Sequence, residues 1–199
     1  MGQTDVLESE TENSTALDLK TLNINYDKLQ GRGGAFLVTP VDQGRVFSRE
    51  QFSEEHKMFE QTAIEFAENR IMEVREELNV LNKELSLEIF KEIGELGFLS
   101  VDVPEEYGGL ALDKTTSCII VDALSAGRNA SIVVTASAHS GIGMLPIIWY
   151  GNEFQKKKYL PKLSSGEWMG CYALTESGAG SDALSGTCTG KLNDEGTHY

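Results

Sequence analysis

The chain has 199 residues, enough for one to two domains, and its 40% hydrophobic and 24% charged residues are the balance of an ordinary soluble globular protein. Its 31 acidic residues outnumber 17 basic ones, giving a formal net charge of −14. A field of that sign repels phosphate backbones and so excludes nucleic acid as a partner, but it leaves open a small anionic ligand held by local backbone N–H groups.

Cys118, Cys171 and Cys188 are odd in number and make no C-x-x-C pair. They read as reduced, mostly buried thiols of a cytosol-like compartment rather than a disulfide framework or a metal site. His56, His139 and His198 lie far apart and form no H-x-x-x-H pair, so no sequence-local zinc site is expected. The N-terminus carries Asp5, Glu8, Glu10 and Glu12 without an early basic residue, unlike a secretory signal or a transit peptide, and a cytoplasmic location is expected.

In chain order, residues 1–30 are polar and acidic and read as a mobile tail. Gly31, Gly33 and Gly34 lead into Ala35-Phe36-Leu37-Val38, and residues 1–47 together form an N-terminal extension. Ser53 then caps a first helix whose Glu54 and Glu55 suit the positive end of the helix dipole. Phe59, Ala63, Phe66, Ala67, Ile71 and Val74 make its apolar stripe. A second helix is expected over 86–96, with Leu87, Phe90, Ile93 and Leu96 inward and Gly97 ending it in a left-handed conformation. Residues 98–103 read as extended, and Gly108-Gly109 as a turn.

Asp113 caps a third helix carrying Ile119, Ile120, Ala123 and Leu124, and Ser131 a fourth, rich in small residues, placed at the centre of a bundle. Residues 132–150 are the most apolar stretch. Thr135, Ser137, His139, Ser140 and Pro146 interrupt it, so a buried helix is expected rather than a membrane span. Asn152 opens a fifth helix that Pro161 is expected to stop. Residues 48–167 thus form a helical domain. From Trp168 the pattern becomes strand-like, with a hairpin turn at Asn193-Asp-Glu-Gly196, and residues 168–199 read as the start of a β domain. The chain stops inside an expected strand, so it reads as a fragment.

The segment Cys171-Tyr-Ala-Leu-Thr-Glu-Ser-Gly-Ala-Gly-Ser-Asp182 carries the chemistry. Gly178 and Gly180 let backbone N–H groups approach an anionic oxygen, and Thr175 and Ser181 add hydroxyls that donate and accept. By spacing alone a plain polar β-turn accounts for it, because short Gly-x-Gly loops are common.

The segment closely resembles the acyl-CoA dehydrogenase signature, an aromatic residue and two small or apolar ones followed by T-E-P-G-A-G-S-D. Further similarities stand upstream in the family's order: Val103-Pro-Glu-Glu-Tyr-Gly-Gly109, Tyr150-Gly151, Gln155-Lys-Lys-Lys-Tyr-Leu-Pro-Lys-Leu163 and Ser165-Gly-Glu167. The resemblance runs from Phe52 to Tyr199. Gly33-Gly-Ala-Phe-Leu37 and Phe52-Ser-Glu-Glu55 are more similar to the very-long-chain branch. Ser177 departs from the family's proline and should loosen the turn slightly.

The resemblance implies a helical N-terminal domain, an antiparallel β-barrel-like middle domain of which only the beginning is present, and a C-terminal bundle. It implies an FAD-dependent enzyme that dehydrogenates fatty acyl-CoA at Cα–Cβ, passes electrons to an electron-transfer flavoprotein and forms homo-oligomers. Tyr172, Leu174, Thr175, Gly180 and Ser181 would line the flavin, with Ser181 also touching the acyl-CoA substrate. The glutamate base would lie beyond residue 199, so no catalytic residue is assigned. Glu176 reads as part of the turn, His139 as a satisfied core histidine, and Lys156, Lys157 and Lys158 as a solvated helix face. An acyl-CoA oxidase on the same fold, and a non-catalytic interaction module, stay open beside this reading.

Overall fold

The structure, a computed structural model, describes residues 47–198 together with Gly34 and Leu37. The expected mobile tail, most of the run at 35–38 and the strand end at Tyr199 lie outside the described residues. The chain divides into two compact units, Met1–Gln51 and Phe52–Tyr199. The second holds helices α1 (Glu54–Phe66), α2 (Arg75–Asn79), α3 (Lys83–Glu95), α4 (Lys114–Leu124), α5 (Ala130–Ala138), α6 (Leu145–Tyr150) and α7 (Glu153–Ser164).

Local chemistry sets most of the helix ends. Ser53 caps α1 as expected: its hydroxyl accepts the His56 N–H at 3.1 Å, and its own N–H donates to His56 Nδ1 at 3.2 Å. A histidine thus completes the capping box that a Glu or Gln usually closes. That leaves His56 Nε2 to meet Asp113, the N-cap of α4, at 3.1 Å, so one imidazole ties together the starts of two helices. Burial opposes ionisation of Asp113, but the Thr116 N–H, His56 and the Thr116 hydroxyl outweigh it and hold the carboxyl below its ordinary range. Helix α3 ends as expected at Gly97, with φ +79°. Phe98 N–H bonds to Ile93 O and Gly97 N–H to Gly94 O, the paired bonds of a Schellman close.

Ala63, Ala67, Ile71, Ile89, Phe90, Ile93, Ile120, Leu124 and Ile132 belong to the main core, with Phe59, Phe66 and Val74 packed against it. Helix α1 packs chiefly along α4, while α5 meets both α3 and α4. The α1 stripe continues past the helix through a π turn, Ala67–Ile71, where Met72 N–H reaches back to Ala67 O. From that turn Arg70 grips α3: its Nε and a terminal NH2 pair with Glu92, and the same NH2 with Glu88 at 2.7 Å. A smaller core gathers Val103, Tyr107, Met144, Leu160 and Leu163.

Several expectations need correction. Helix α3 starts at Lys83, with Asn82 as its cap, and its buried face is Ile89, Phe90, Ile93 and Gly94, leaving Leu87 and Leu96 outside. Residues 98–103 form successive turns rather than an extended run, because Ser100 N–H and Val103 N–H fold back to Gly97 O and Ser100 O. Asn129, not Ser131, caps α5, and α5 buries only Ile132 and Ala136 while Val134 stays outside, so this helix flanks the core rather than filling its centre.

Pro161 lies inside α7 instead of stopping it. The missing N–H costs about 3 kcal/mol. Leu160 and Leu163, both buried in the smaller core, return about 1.5–3 kcal/mol each, and burial wins. All three cysteines are exposed, not buried. They sit on the outward side of α4 and in the segment beyond α7, where no core forms among the described residues.

The beginning of a β-barrel is not seen. Among the described residues after α7 no strand forms, only an isolated antiparallel bridge, Glu176 to Ala179. A strand is stable when a neighbour takes its backbone hydrogen bonds, and residues 168–198 find none among the described residues. Residues Ala130–Tyr150, 21 in number, are long and apolar enough to cross a membrane by length and composition. Here they are divided into α5, a π turn at His139–Gly143, and α6, with a buried imidazole at the middle.

Candidate functional site

The site builds outward from the end of α7. His139 is fully buried, edge-on to Phe90 at 4.9 Å. Its Nε2 lies 3.0 Å from Leu163 O, and its Nδ1 accepts the Gly170 N–H at 2.8 Å. Both ring nitrogens are used, in the tautomer that carries its proton on Nε2. Burial holds the ring's pKa below its ordinary value. This is the satisfied core histidine that the sequence suggested, with a task the sequence did not show: it fastens the first residues after the helical domain. Gly143, in the same π turn, completes the seam, since a Cβ there would lie 2.8 Å from the Gly170 carbonyl carbon.

Beyond this seam Tyr172, Leu174, Thr175, Gly180 and Ser181 lie on one continuous, exposed stretch, with Tyr172 53% and Leu174 48% exposed. The structure brings the five into one loop system but buries none of them. Glu176 N–H and Ala179 N–H exchange bonds with each other's carbonyls at 3.0 and 3.1 Å, which closes a tight turn with Ser177 and Gly178 at its tip. Ala179 is buried beneath it.

A Cβ added at Gly178 or Gly180 meets no atom within 4 Å, and neither residue has positive φ. Neither glycine is required by a left-handed backbone or by packing among the described residues. The open side of the loop offers space, backbone N–H groups and the hydroxyls of Thr175 and Ser181, a set suited to an anionic or polar ligand.

Glu176 is the residue whose part sequence reasoning left vague. Its Oε2 accepts the Thr187 N–H at 2.8 Å and the Cys188 N–H at 3.1 Å. These bonds hold its carboxyl below the usual carboxylate range. The only sequence signal was an acidic residue directly before a Gly-rich turn. Lys156 lies over the Tyr107 ring, Lys158 over Phe154 and Tyr159, and Lys162 over Trp168, so these lysines rest on aromatic faces. Tyr107, in the turn Glu105–Tyr107 between α3 and α4, ties that turn to the start of α7 by donating its hydroxyl to Glu153. Burial, Glu153 and Glu106 push its pKa up to about 12. Among the described residues no group of His, Cys, Asp and Glu is arranged to hold a metal.

A capped helical domain thus hands over, through a histidine seam, to an open Gly/Ser loop. The chain belongs to the acyl-CoA dehydrogenase family: residues 53–167 match that family's N-terminal domain. It is 46% identical over 168 residues to a probable acyl-CoA dehydrogenase of Bacillus subtilis, covering 84% of this chain and 28% of that protein. It superposes with a TM-score of 0.75 on the crystal structure of an acyl-CoA dehydrogenase of Bacillus anthracis complexed with FAD, at 50% identity, covering 84% of this chain and 28% of the other. A glutaryl-coenzyme A dehydrogenase in complex with glutaryl-CoA is similar at 31% identity and a TM-score of 0.62, covering 72% of this chain and 36% of the other. The chain therefore spans about a third or less of the length of these proteins.

Proposed function

We propose that this chain supplies the N-terminal helical domain and the flavin-contacting loop of an FAD-dependent acyl-CoA dehydrogenase acting on fatty acyl-CoA thioesters. The observation that carries the reading is the open side of the loop at Gly178 and Gly180, flanked by the exposed hydroxyls of Thr175 and Ser181. It is supported by the family match and by the FAD bound to the Bacillus anthracis relative.

FAD, when bound, supplies the hydride acceptor for oxidation of the acyl Cα–Cβ bond. The residues of this chain bind and orient it. Tyr172 and Leu174 offer apolar surface to the ring system. The Thr175 backbone and hydroxyl donate to ring polar atoms. Gly180 allows close approach, and Ser181 donates to a phosphate oxygen and borders the acyl-CoA. Glu176 is committed to two backbone N–H groups and is not assigned as the base.

The same proposal divides the chain into an extension at 1–47, the helical domain at 48–167 and the opening of the β middle domain at 168–199. In that setting residues 168–199 gain strand partners from the rest of the middle domain. Electron-transfer flavoprotein is the proposed acceptor, the cytoplasm the location and a homo-oligomer the working form.

The test is the full-length protein, purified and examined for flavin absorbance, then mixed with fatty acyl-CoA under anaerobic conditions. Bleaching of the flavin and transfer of electrons to an acceptor dye are expected. A colourless protein with no affinity for FAD would overturn the reading, and rapid oxygen consumption in place of dye reduction would turn it to an oxidase.

A further inference from the structure

We propose that Glu176 is a positioning residue whose carboxylate clamps residues 177–186 into the conformation that meets FAD; the proposal rests on the flavin reading of this loop.

One residue closes the loop twice. The Glu176 backbone bonds to Ala179 in both directions and fixes the tight turn at the loop's start. The Glu176 side chain then reaches across the chain to Thr187 and Cys188 and fixes the loop's end. Gly178 stands at the tip of the first closure and Gly180 and Ser181 between the two; all three are exposed, and a Cβ at either glycine meets nothing within 4 Å. A shorter turn inside the loop is made by Asp182, which accepts the Ser185 N–H at 3.1 Å on its carbonyl and the Ser185 hydroxyl on its carboxylate. Gly186 makes room for the clamp, because a Cβ there would lie 3.1 Å from Glu176 Oε1.

No strand holds this region among its described residues, and Glu176 lies in neither hydrophobic core. Without the carboxylate, the loop would have to be ordered at the moment FAD binds, and that ordering entropy would subtract from affinity. With it, the N–H groups are in place beforehand.

The geometry separates a clamp from a proton carrier. Oε2 accepts the Thr187 and Cys188 amide protons at 2.8 and 3.1 Å, and the Cys188 N–H is shared with Oε1 at 3.2 Å. A glutamine keeps one carbonyl oxygen of the same reach but cannot take up a proton as a base. Glu176→Gln therefore keeps the clamp at Thr187, weakens it at Cys188, where an NH2 replaces Oε1, and abolishes a base.

The experiment uses the full-length protein freed of FAD. Amide exchange is measured at Thr187 and Cys188, with Leu160 in the smaller core as an internal reference, and FAD is titrated into each variant. Glu176→Ala should exchange these two amides about tenfold faster or more, leave Leu160 unchanged, and bind FAD about tenfold more weakly. Glu176→Gln should restore the protection at Thr187, part of that at Cys188, and most of the affinity and the turnover. Gly186→Ala should reproduce part of the alanine effect. Unchanged exchange at Thr187 and Cys188 in Glu176→Ala would overturn the clamp. Faster exchange with unchanged FAD affinity would overturn its role toward the flavin. Loss of turnover in Glu176→Gln with normal exchange at Thr187 and normal FAD affinity would overturn it in favour of proton transfer. Failure of the wild-type protein to bind FAD would instead remove the flavin reading, and it is seen before any variant is made.

Discussion

His139 accepts the Gly170 N–H on Nδ1 at 2.8 Å while its Nε2 meets Leu163 O at 3.0 Å, so one buried ring joins the π turn after α5, the end of α7 and the first residues of the loop segment. Its replacement by alanine should leave the part-buried Gly170 N–H without its partner, take one of two donors from Leu163 O, which keeps the Gly166 N–H, and open a cavity against Phe90. The expected loss is about 2–4 kcal/mol, read from denaturant melts.

The same ring sets a pH dependence. Burial holds the folded-state pKa of His139 below the ordinary 6.5, so the unfolded chain binds its proton more readily. The contribution of the neutral ring is complete above pH 6.5 and is lost as pH falls below it towards the folded-state value. Protonation also puts a hydrogen on Nδ1, facing the Gly170 N–H. Melts between pH 7 and pH 5 should show stability falling, and His139→Gln should flatten that slope. An unchanged slope in the variant would assign the dependence to other groups.

Two glycines separate packing from ligand approach. A Cβ at Gly109 would sit 1.9 Å from Val103 O, whereas one at Gly180 meets nothing within 4 Å. Gly109→Ala should cost about 3 kcal/mol or more, or prevent folding. Gly180→Ala should leave the melting of the cofactor-free protein within about 0.5 kcal/mol of wild type. Gly180→Val should then lower FAD affinity without lowering that stability. A large loss of stability at Gly180 would show that the protein, rather than a ligand, fills the open side.

Ser177 stands at the second position of the turn from Glu176 to Ala179, where proline's fixed φ is favoured. Ser177→Pro should stabilise the full-length protein by about 0.4–1 kcal/mol through the unfolded chain. A loss of more than about 1 kcal/mol in denaturant melts would mean that the turn does not tolerate φ near −65°.

Arg70 pairs with Glu92 through two nitrogens and reaches Glu88 as well, from a π turn to α3. Hydrogen bonds to Glu92 are the largest cause of its raised pKa. Arg70→Lys keeps the charge but loses the planar fork, and should cost about 1 kcal/mol. Part of the effect should vanish in 1 M salt, since the Glu88 arm is exposed. Equal stability of Lys and Arg at low salt would show that charge alone acts here.

The sequence by itself determined the local features. Ser53, Asp113 and Gly97 mark helix ends because capping needs only one side chain or one left-handed residue, and the α1 stripe is a matter of spacing. The order of motifs likewise identified the family. What needed the tertiary structure were the features in which distant parts compete. Pro161 stays inside α7 because the smaller core holds Leu160 and Leu163 on either side of it. His56 closes a capping box because Asp113, 57 residues away, takes its other nitrogen. The alternating pattern after Trp168 forms no strand because a strand is completed by a neighbour, and none stands among the described residues. The loop was legible as a motif, but its two closures by Glu176 were not, since a carboxylate's partners eleven and twelve residues away follow from the path of the chain rather than from spacing.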